Sequence, residues 1–151
     1  MGNLDVFITG MGTGGTIMGF YHYFSEKNND FKAYPILPDK NEDGKHRIEG
    51  IGDSFIPKIV DLQSLERVLR VNDGDAINIA RQINKLGLSV GISSGANVFG
   101  AILKASELPE GSNVATVLPD GNKKYLTTDL CSSTPEPLSR EIKILNYELI
   151  S

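Results

Sequence analysis

The residues best suited to chemistry lie near the start of the chain, in the run Thr9-Gly10-Met11-Gly12-Thr13-Gly14-Gly15-Thr16. Before it, Leu4, Val6, Phe7 and Ile8 read as a buried strand; after it, Ile17, Met18, Phe20, Tyr21 and Phe24 recur at helical spacing. A glycine turn between strand and helix is an anion-binding arrangement. Without Cβ atoms the backbone N–H groups can converge, and the unpaired amides and positive dipole end at the helix start favour negative charge. The hydroxyls of Thr13 and Thr16 add donors, and the expected anion is a phosphate. A turn with no ligand is the plain alternative, but glycines this dense cost backbone entropy that a mere connection does not require. The spacing Gly10-x-Gly12-x-x-Gly15 also fits the dinucleotide fingerprint, with Asp39 beyond the next strand as a ribose partner, so a nicotinamide cofactor competes for the same turn. A Walker phosphate loop is excluded, because no lysine stands between Gly15 and Thr16.

Two later segments carry further candidates. Ser93-Ser94-Gly95-Ala96-Asn97 opens a helix whose apolar face holds Val98, Phe99, Ile102 and Leu103, where the ordinary role of a serine is to cap the helix. Pro119-Asp120-Gly121-Asn122-Lys123-Lys124-Tyr125 follows the last convincing strand, 113–118, at the kind of carboxyl edge where open α/β sheets collect ligands. The simpler reading of Pro-Asp-Gly is a turn. Between the first turn and these, Gly50 and Gly52 flank Ile51 within the apolar 48–57 stretch. They suit either a packed turn or a backbone edge that something flat approaches.

The elements that must position these residues alternate. A strand over 31–37, with Pro35 better suited to an edge, completes a strand-helix-strand crossover that is right-handed and parallel. The polar stretch 38–47 marks an exposed loop. Leu62 and Leu65 suit a short helical turn, and 68–71 looks like a strand. Asn72 or Asp73 then caps a helix with Ala76, Ile79, Ala80 and Ile83 on one face, ending near Gly87. The fold expected is α/β, a doubly wound, mostly parallel sheet. Its first strand begins almost at Met1, as it would if the chain opened in the middle of a domain. Beyond Leu130, Ser132-Ser133-Thr134-Pro135-Glu136-Pro137 has a linker's composition, and Ile142, Leu145 and Leu149 suit a short helix docking on the body or a partner. The division expected is thus 1–130 for the α/β domain and 131–151 for linker and tail.

Composition narrows the classes. With 151 residues and 40% hydrophobic content, one core of ordinary size is expected and a second domain is not. A net charge of -4 with scattered basic residues argues against a nucleic-acid partner. The single cysteine, Cys131, rules out an internal disulfide, and His22 and His46 have no second His or Cys at ligand spacing, which argues against a metal. No apolar run approaches spanning length and no signal-peptide pattern is present, so no membrane role is expected and the cytoplasm is the plain location.

Four blocks in order resemble the cysteine synthase (O-acetylserine sulfhydrylase) family of fold-type II pyridoxal-phosphate enzymes. They are Gly12-Thr13-Gly14-Gly15-Thr16; His46-Arg47-Ile48-Glu49-Gly50-Ile51-Gly52 with Phe55-Ile56-Pro57; Gly91-Ile92-Ser93-Ser94-Gly95-Ala96-Asn97; and Leu118-Pro119-Asp120-Gly121 with Tyr125-Leu126-Thr127-Thr128-Asp129-Leu130. The resemblance covers 4–130 and matches the family's C-terminal half, implying the large-domain part of that fold, truncated at its N-terminus. It implies that Gly12, Thr13, Gly14, Gly15 and Thr16 hold the phosphate of pyridoxal 5'-phosphate, and that Ser93 faces the pyridine nitrogen with Ser94 beside it. Gly50, Ile51 and Gly52 would line the space next to the cofactor; Pro119, Asp120 and Tyr125 would support the ring-nitrogen end. A neutral hydroxyl at that nitrogen makes a weaker electron sink than a carboxylate would, which suits β-elimination over transamination. The implied reaction is replacement of the acetate of O-acetylserine, or a related leaving group, by sulfide to give cysteine.

The family's Schiff-base lysine lies in a segment of the type Asn-Pro-x-x-Ser-x-Lys-Asp-Arg that is absent here. No catalytic residue is therefore assigned within this chain, and the implied partners are a small amino-acid substrate and an N-terminal half carrying the lysine. A homodimer when complete and docking of serine acetyltransferase are further implications. Asp53-Ser54 stands where small residues are common in the family, and Lys124 where an arginine is usual. The competing classes are the nicotinamide-binding domain using Gly10, Gly12, Gly15 and Asp39, and a non-catalytic interaction fragment.

Overall fold

The computed structural model describes residues 4–52, 56–134, 136–145 and 148. Asp53, Ser54, Phe55, Pro135 and Leu149, singled out above, lie outside the described residues. Among the described residues four strands form one all-parallel sheet: β1 Val6–Gly10, β2 Lys32–Pro38, β3 Leu69–Val71 and β4 Val114–Thr116, in the spatial order β3-β2-β1-β4. Helix α1, Gly15–Ser25, makes the crossover from β1 to β2; α2, Asp73–Lys85, and α3, Ile92–Ala105, lie between β3 and β4 in sequence.

Strand alternation divides the helices between the two faces. Phe7 and Ala33 pack with Ile17 and Met18 of α1 and with Phe31, and Phe20 stacks on Phe7 at 3.8 Å between ring centroids. Val6, Ile8, Tyr34 and Ile36 join the larger core with Ala76, Ile77, Ala80, Ala96 and Phe99 from α2 and α3. This is the doubly wound α/β arrangement the alternating pattern implies. Asn72 caps α2, its side-chain oxygen accepting the Asp75 N–H at 2.9 Å. Residues 58–65 make turns rather than a helix, with Leu65 inward and Leu62 exposed.

Two expectations need correction. Pro35 sits in β2, an interior strand, not at an edge. Lys32 donates to the Asp5 carbonyl and the Ile36 carbonyl accepts from Met11, whereas the Ala33 carbonyl accepts from Glu66. Odd-numbered residues of β2 therefore turn away from β1, and Pro35 lies one residue before β3 pairing begins at Ile36. Its missing N–H costs no ladder bond.

The tail is the second correction: 141–145 is irregular rather than helical, and Leu145 is exposed. Side chains of α2 hold it instead. Gln82 donates to the Ile142 carbonyl at 2.7 Å and accepts from the Ile144 N–H at 2.8 Å, while Asp75 accepts both the Ser139 N–H at 2.9 Å and the Ser139 hydroxyl. Local backbone bonds within a helix are thus replaced by specific polar groups on a neighbour.

Helices α2 and α3 approach closely because Gly95 removes a side chain from their contact; a Cβ there would overlap the Ala76 carbonyl and crowd Ala80. Gly95→Ala should therefore destabilise by about 1–3 kcal/mol despite alanine's better helix propensity, since the obstruction is backbone. Urea unfolding of the full chain measures this, and unchanged or increased stability would mean that the helices sit further apart.

Candidate functional site

The carboxyl ends of β1 and β4 meet where the strand order reverses, since the chain leaves β1 toward β2 on one side while β4 lies on the other. In open α/β sheets this switch point leaves a crevice. A cavity of about 440 Å³ opens here, lined by Thr9, Gly10, Gly12, Thr13, Gly14, Thr16, Ile17, Glu49, Gly50, Ile51, Ser93, Pro119, Asp120, Lys124 and Tyr125. The volume is in the range of small-ligand sites.

The turn 10–16 forms one end. Gly14 is the N-cap of α1, with φ 82°, a conformation that favours glycine. Among the described residues no side chain caps this helix, and its first turn holds no acidic residue. Among the described residues, the amides of Gly12 to Thr16 and the hydroxyls of Thr13 and Thr16 have no hydrogen-bond partner. That leaves a cluster of outward donors at the positive end of a helix dipole, suited to a dianionic phosphate. The glycines also serve the protein itself. A Cβ on Gly12 would overlap the Gly50 carbonyl, one on Gly14 would overlap Val60, and one on Gly10 would collide with Ile51. The turn is thus pressed against a second loop, 46–52, and Gly52 N–H donates to the Met11 carbonyl at 3.2 Å.

At the other end a second helix start is closed off from within. Helix α3 begins at Ile92 behind Gly91, which has no side chain to cap it, so the serines of this segment occupy the first turn instead of the cap. The cap comes from Asp120, beyond β4. Its carboxylate accepts the N–H groups of Ser93 at 3.3 Å and Ser94 at 3.0 Å, the Ser94 hydroxyl, and the Tyr125 hydroxyl at 2.8 Å. The Asp120 carbonyl accepts from Gly91 N–H at 2.9 Å, and a Cβ on Gly91 would overlap both Asp120 and Tyr125. Burial acts to raise the Asp120 pKa, but the bonds from Ser94, Tyr125 and Ser93 outweigh it and hold the carboxyl below its usual value. Burial, and then the bond to Asp120, push the Tyr125 phenol well above its ordinary range.

One cavity therefore faces two helix N-termini of different electrostatic character. That of α1 is open and calls for an external anion; that of α3 is already neutralised by Asp120. Ser93, itself buried, lines the cavity and its side chain helps to hold the Asp120 carboxyl low, whereas the Ser94 hydroxyl is bonded to Asp120 directly. An elongated ligand with a phosphate at one end and a hydrogen-bonding neutral group at the other fits in one direction.

Of the residues the sequence singles out, Gly12, Thr13, Gly14, Thr16, Gly50, Ile51, Ser93, Pro119, Asp120 and Tyr125 meet at this cavity, while Gly15, Gly52 and Ser94 do not line it. Asp39 does not join them. It borders a separate hollow with Lys40, Asn72 and Asp73 and not the cavity at the glycine turn, which leaves the nicotinamide alternative without its ribose partner there.

Asn97 escapes the sequence reading. Buried within α3, it accepts the Gly10 N–H at 2.7 Å and donates to the Val117 carbonyl at 2.9 Å, bridging β1 and β4 just past their last paired residues, Ile8 and Thr116. A polar residue four places after Ser93 on an otherwise apolar helix face was the available signal.

A family model described as pyridoxal-phosphate dependent enzyme matches residues 1–120. Cysteine synthase B of Campylobacter jejuni is 43% identical over 133 residues, covering 84% of this chain and 44% of that protein. The crystal structure of a hydrogen sulfide-producing enzyme from Fusobacterium nucleatum superposes with a TM-score of 0.83 at 45% identity, over 91% of this chain and 42% of that one. That of an O-acetylserine dependent cystathionine beta-synthase from Helicobacter pylori gives 0.75 at 34% identity, over 85% and 44%. The chain thus spans less than half the length of these relatives.

Asp120→Asn should cost about 1–2 kcal/mol at pH 7, because an amide cannot accept from all four donors. A carboxyl whose folded pKa is lowered contributes stability above its unfolded value, here 3.8, and loses it as the pH falls below that. The stability gap between the two proteins should accordingly narrow below pH 3.8. Denaturation curves at pH 7 and pH 3 test it, and a gap independent of pH would refute the ionised cap.

Proposed function

The chain belongs to the pyridoxal-phosphate dependent enzyme family, and from that premise we propose that it forms the phosphate-gripping and ring-facing half of a cysteine synthase-like active site. The activity of the whole protein is then replacement of the leaving group of O-acetylserine, or a related serine derivative, by sulfide to give cysteine. One observation carries the reading: an open helix start and a neutralised one face each other across a single cavity. The cofactor has the same asymmetry, a dianion at one end and a ring nitrogen at the other.

In this reading the amides of Gly12, Thr13, Gly14, Gly15 and Thr16, with the two threonine hydroxyls, hold the phosphate. When bound, pyridoxal phosphate supplies an electron sink for carbanion chemistry on an amino acid. Ser93 offers its hydroxyl to the ring nitrogen, and Gly50 and Ile51, backed by Gly52 on the Met11 carbonyl, form the flank beside the ring. Asp120 also borders the cavity, and a free carboxylate would keep a proton on that nitrogen. Its four internal donors make it a weak base, so the neutral serine sets the chemistry and β-elimination is favoured over transamination. Pro119 and Tyr125 support this end, and Ser94 ties Asp120 to α3.

Lys124 is the lysine that lines the cavity among the described residues, in the turn with Asp120 and Tyr125. It has none of the sequence setting of the family's Schiff-base lysine, so that group comes from residues outside this chain. Residues 1–130 accordingly make the C-terminal part of the cofactor domain and 131–151 its tail. A homodimer, a serine acetyltransferase partner and a cytoplasmic location belong to the same reading. No described helix is long and apolar enough to cross a membrane.

Equilibrium dialysis of the full chain should show retention of pyridoxal phosphate, weakened at least tenfold in Gly14→Val, whose side chain meets both the positive φ and Val60. Thermal shift with pyridoxal phosphate should exceed that with NAD. A shift with NAD alone would restore the dinucleotide reading, no response to either would favour a non-catalytic interaction fragment, and a stable borohydride-reduced adduct on Lys124 would overturn the external lysine.

A further inference from the structure

Loop 46–52 supplies Glu49, Gly50 and Ile51 to the cavity wall, and it must be held from both ends to keep Gly50 against Gly12. Toward the sheet, the buried Ile48 and the bond from Gly52 N–H to the Met11 carbonyl do this. The opposite anchor is Arg47. Its N–H donates to Asp73 Oδ1 at 2.9 Å, and its guanidinium reaches Asp73 at 3.2 Å, Asp129 at 2.5 Å and Glu136 at 2.7 Å. The three carboxylates come from the start of α2, the short turn at 129–131 and the tail.

These partners are not equivalent. The Glu136 side chain is 8% exposed, that of Asp129 50%. A buried carboxylate requires a counter-charge, and its pairing is screened far less than that of a solvated one. The two parallel N–H contacts of Arg47 with Glu136, at 3.2 and 2.7 Å, fix direction as well as distance. Arg81, the other cation nearby, stands 3.9 Å from Glu136 and gives its donors to the carbonyls of Leu130, Thr134 and Asp129. Glu136 is itself held firmly: Pro137 packs on Gly74, where any Cβ would overlap its carbonyl, and Ser139 is bonded to Asp75.

We propose that Arg47 and Glu136 are positioning residues for the cavity, a pair through which the docked tail sets the location of the 49–51 wall. Glu136 lines neither the cavity nor any surface of it; it acts through Arg47, and Arg47 acts through the backbone that follows it. The segment beyond Leu130, with the composition of a linker, is on this account part of the site's support. The proposal rests on the cofactor reading for what the wall borders, but not for the coupling itself.

The test uses the full chain and the variants Glu136→Gln, which keeps shape and removes charge, and Glu136→Asp, which keeps charge. Amide hydrogen exchange read by mass spectrometry should be about tenfold faster over 46–52 in the Gln variant, with α3 and β1 unchanged. Pyridoxal phosphate, added as the probe in dialysis, should bind about fivefold more weakly to it, and the Asp variant should recover most of both effects. Exchange over 46–52 unchanged in Glu136→Gln, or raised equally across α3 and β1, would overturn the coupling. Failure of the unaltered chain to retain the probe would instead defeat the cofactor reading, while the exchange pattern still decides for or against the pair.

Discussion

A single carboxylate organises one end of the cavity. Asp120 follows β4, yet it completes α3, whose first turn has no side-chain cap of its own. It also aims Tyr125 and secures Ser94. Were that helix start left bare, the cavity would present two positive dipole ends and no preference between them. With Asp120 in place the field across the cavity is polarised, and the orientation of any phosphorylated ligand follows from electrostatics before shape is considered.

The switch point explains why so few elements suffice. Two strands that part company at their carboxyl ends create a gap between their exits, and the turns leaving them necessarily face each other. Because the strands are parallel, both turns emerge on one side of the sheet; because α1 and α3 cover opposite faces, their starts approach the gap from different directions. Loop 46–52 then serves as the lateral wall, with Gly50 against Gly12 and the Gly52 N–H on the Met11 carbonyl.

Much of this was legible in the residues. Period-two and period-3.6 patterns locate β1, α1, β2 and α2 because each buries one continuous apolar face. The glycine turn, Ser93 and Pro119 to Tyr125 were recognisable because their residue types carry geometric or hydrogen-bonding meaning locally. What stayed hidden depends on partners distant in the chain. Ser93 and Ser94 looked like caps, since nothing nearby reveals that Asp120, 26 residues from Ser94, caps the helix for them. Pro35 looked like an edge residue because the length of β3 is invisible from β2. The tail looked helical from its apolar spacing, whereas bonds to Gln82 and Asp75 hold it on a non-helical path. In each case a tertiary hydrogen bond or a strand's extent overrides a local preference.

The bridge made by Asn97 bears on how such a chain can diverge. A primary amide is the short side chain that presents a donor and an acceptor side by side, and both are spent here, one on each strand exit. Leucine would strand two buried backbone groups, aspartate would offer no donor to Val117, and serine would fall short of spanning the gap. Hydrophobic neighbours such as Phe99 or Ile92 can be exchanged for others of like volume over generations. Position 97 has no comparable neighbour in sequence space, and mutational drift in this fold must pass around it.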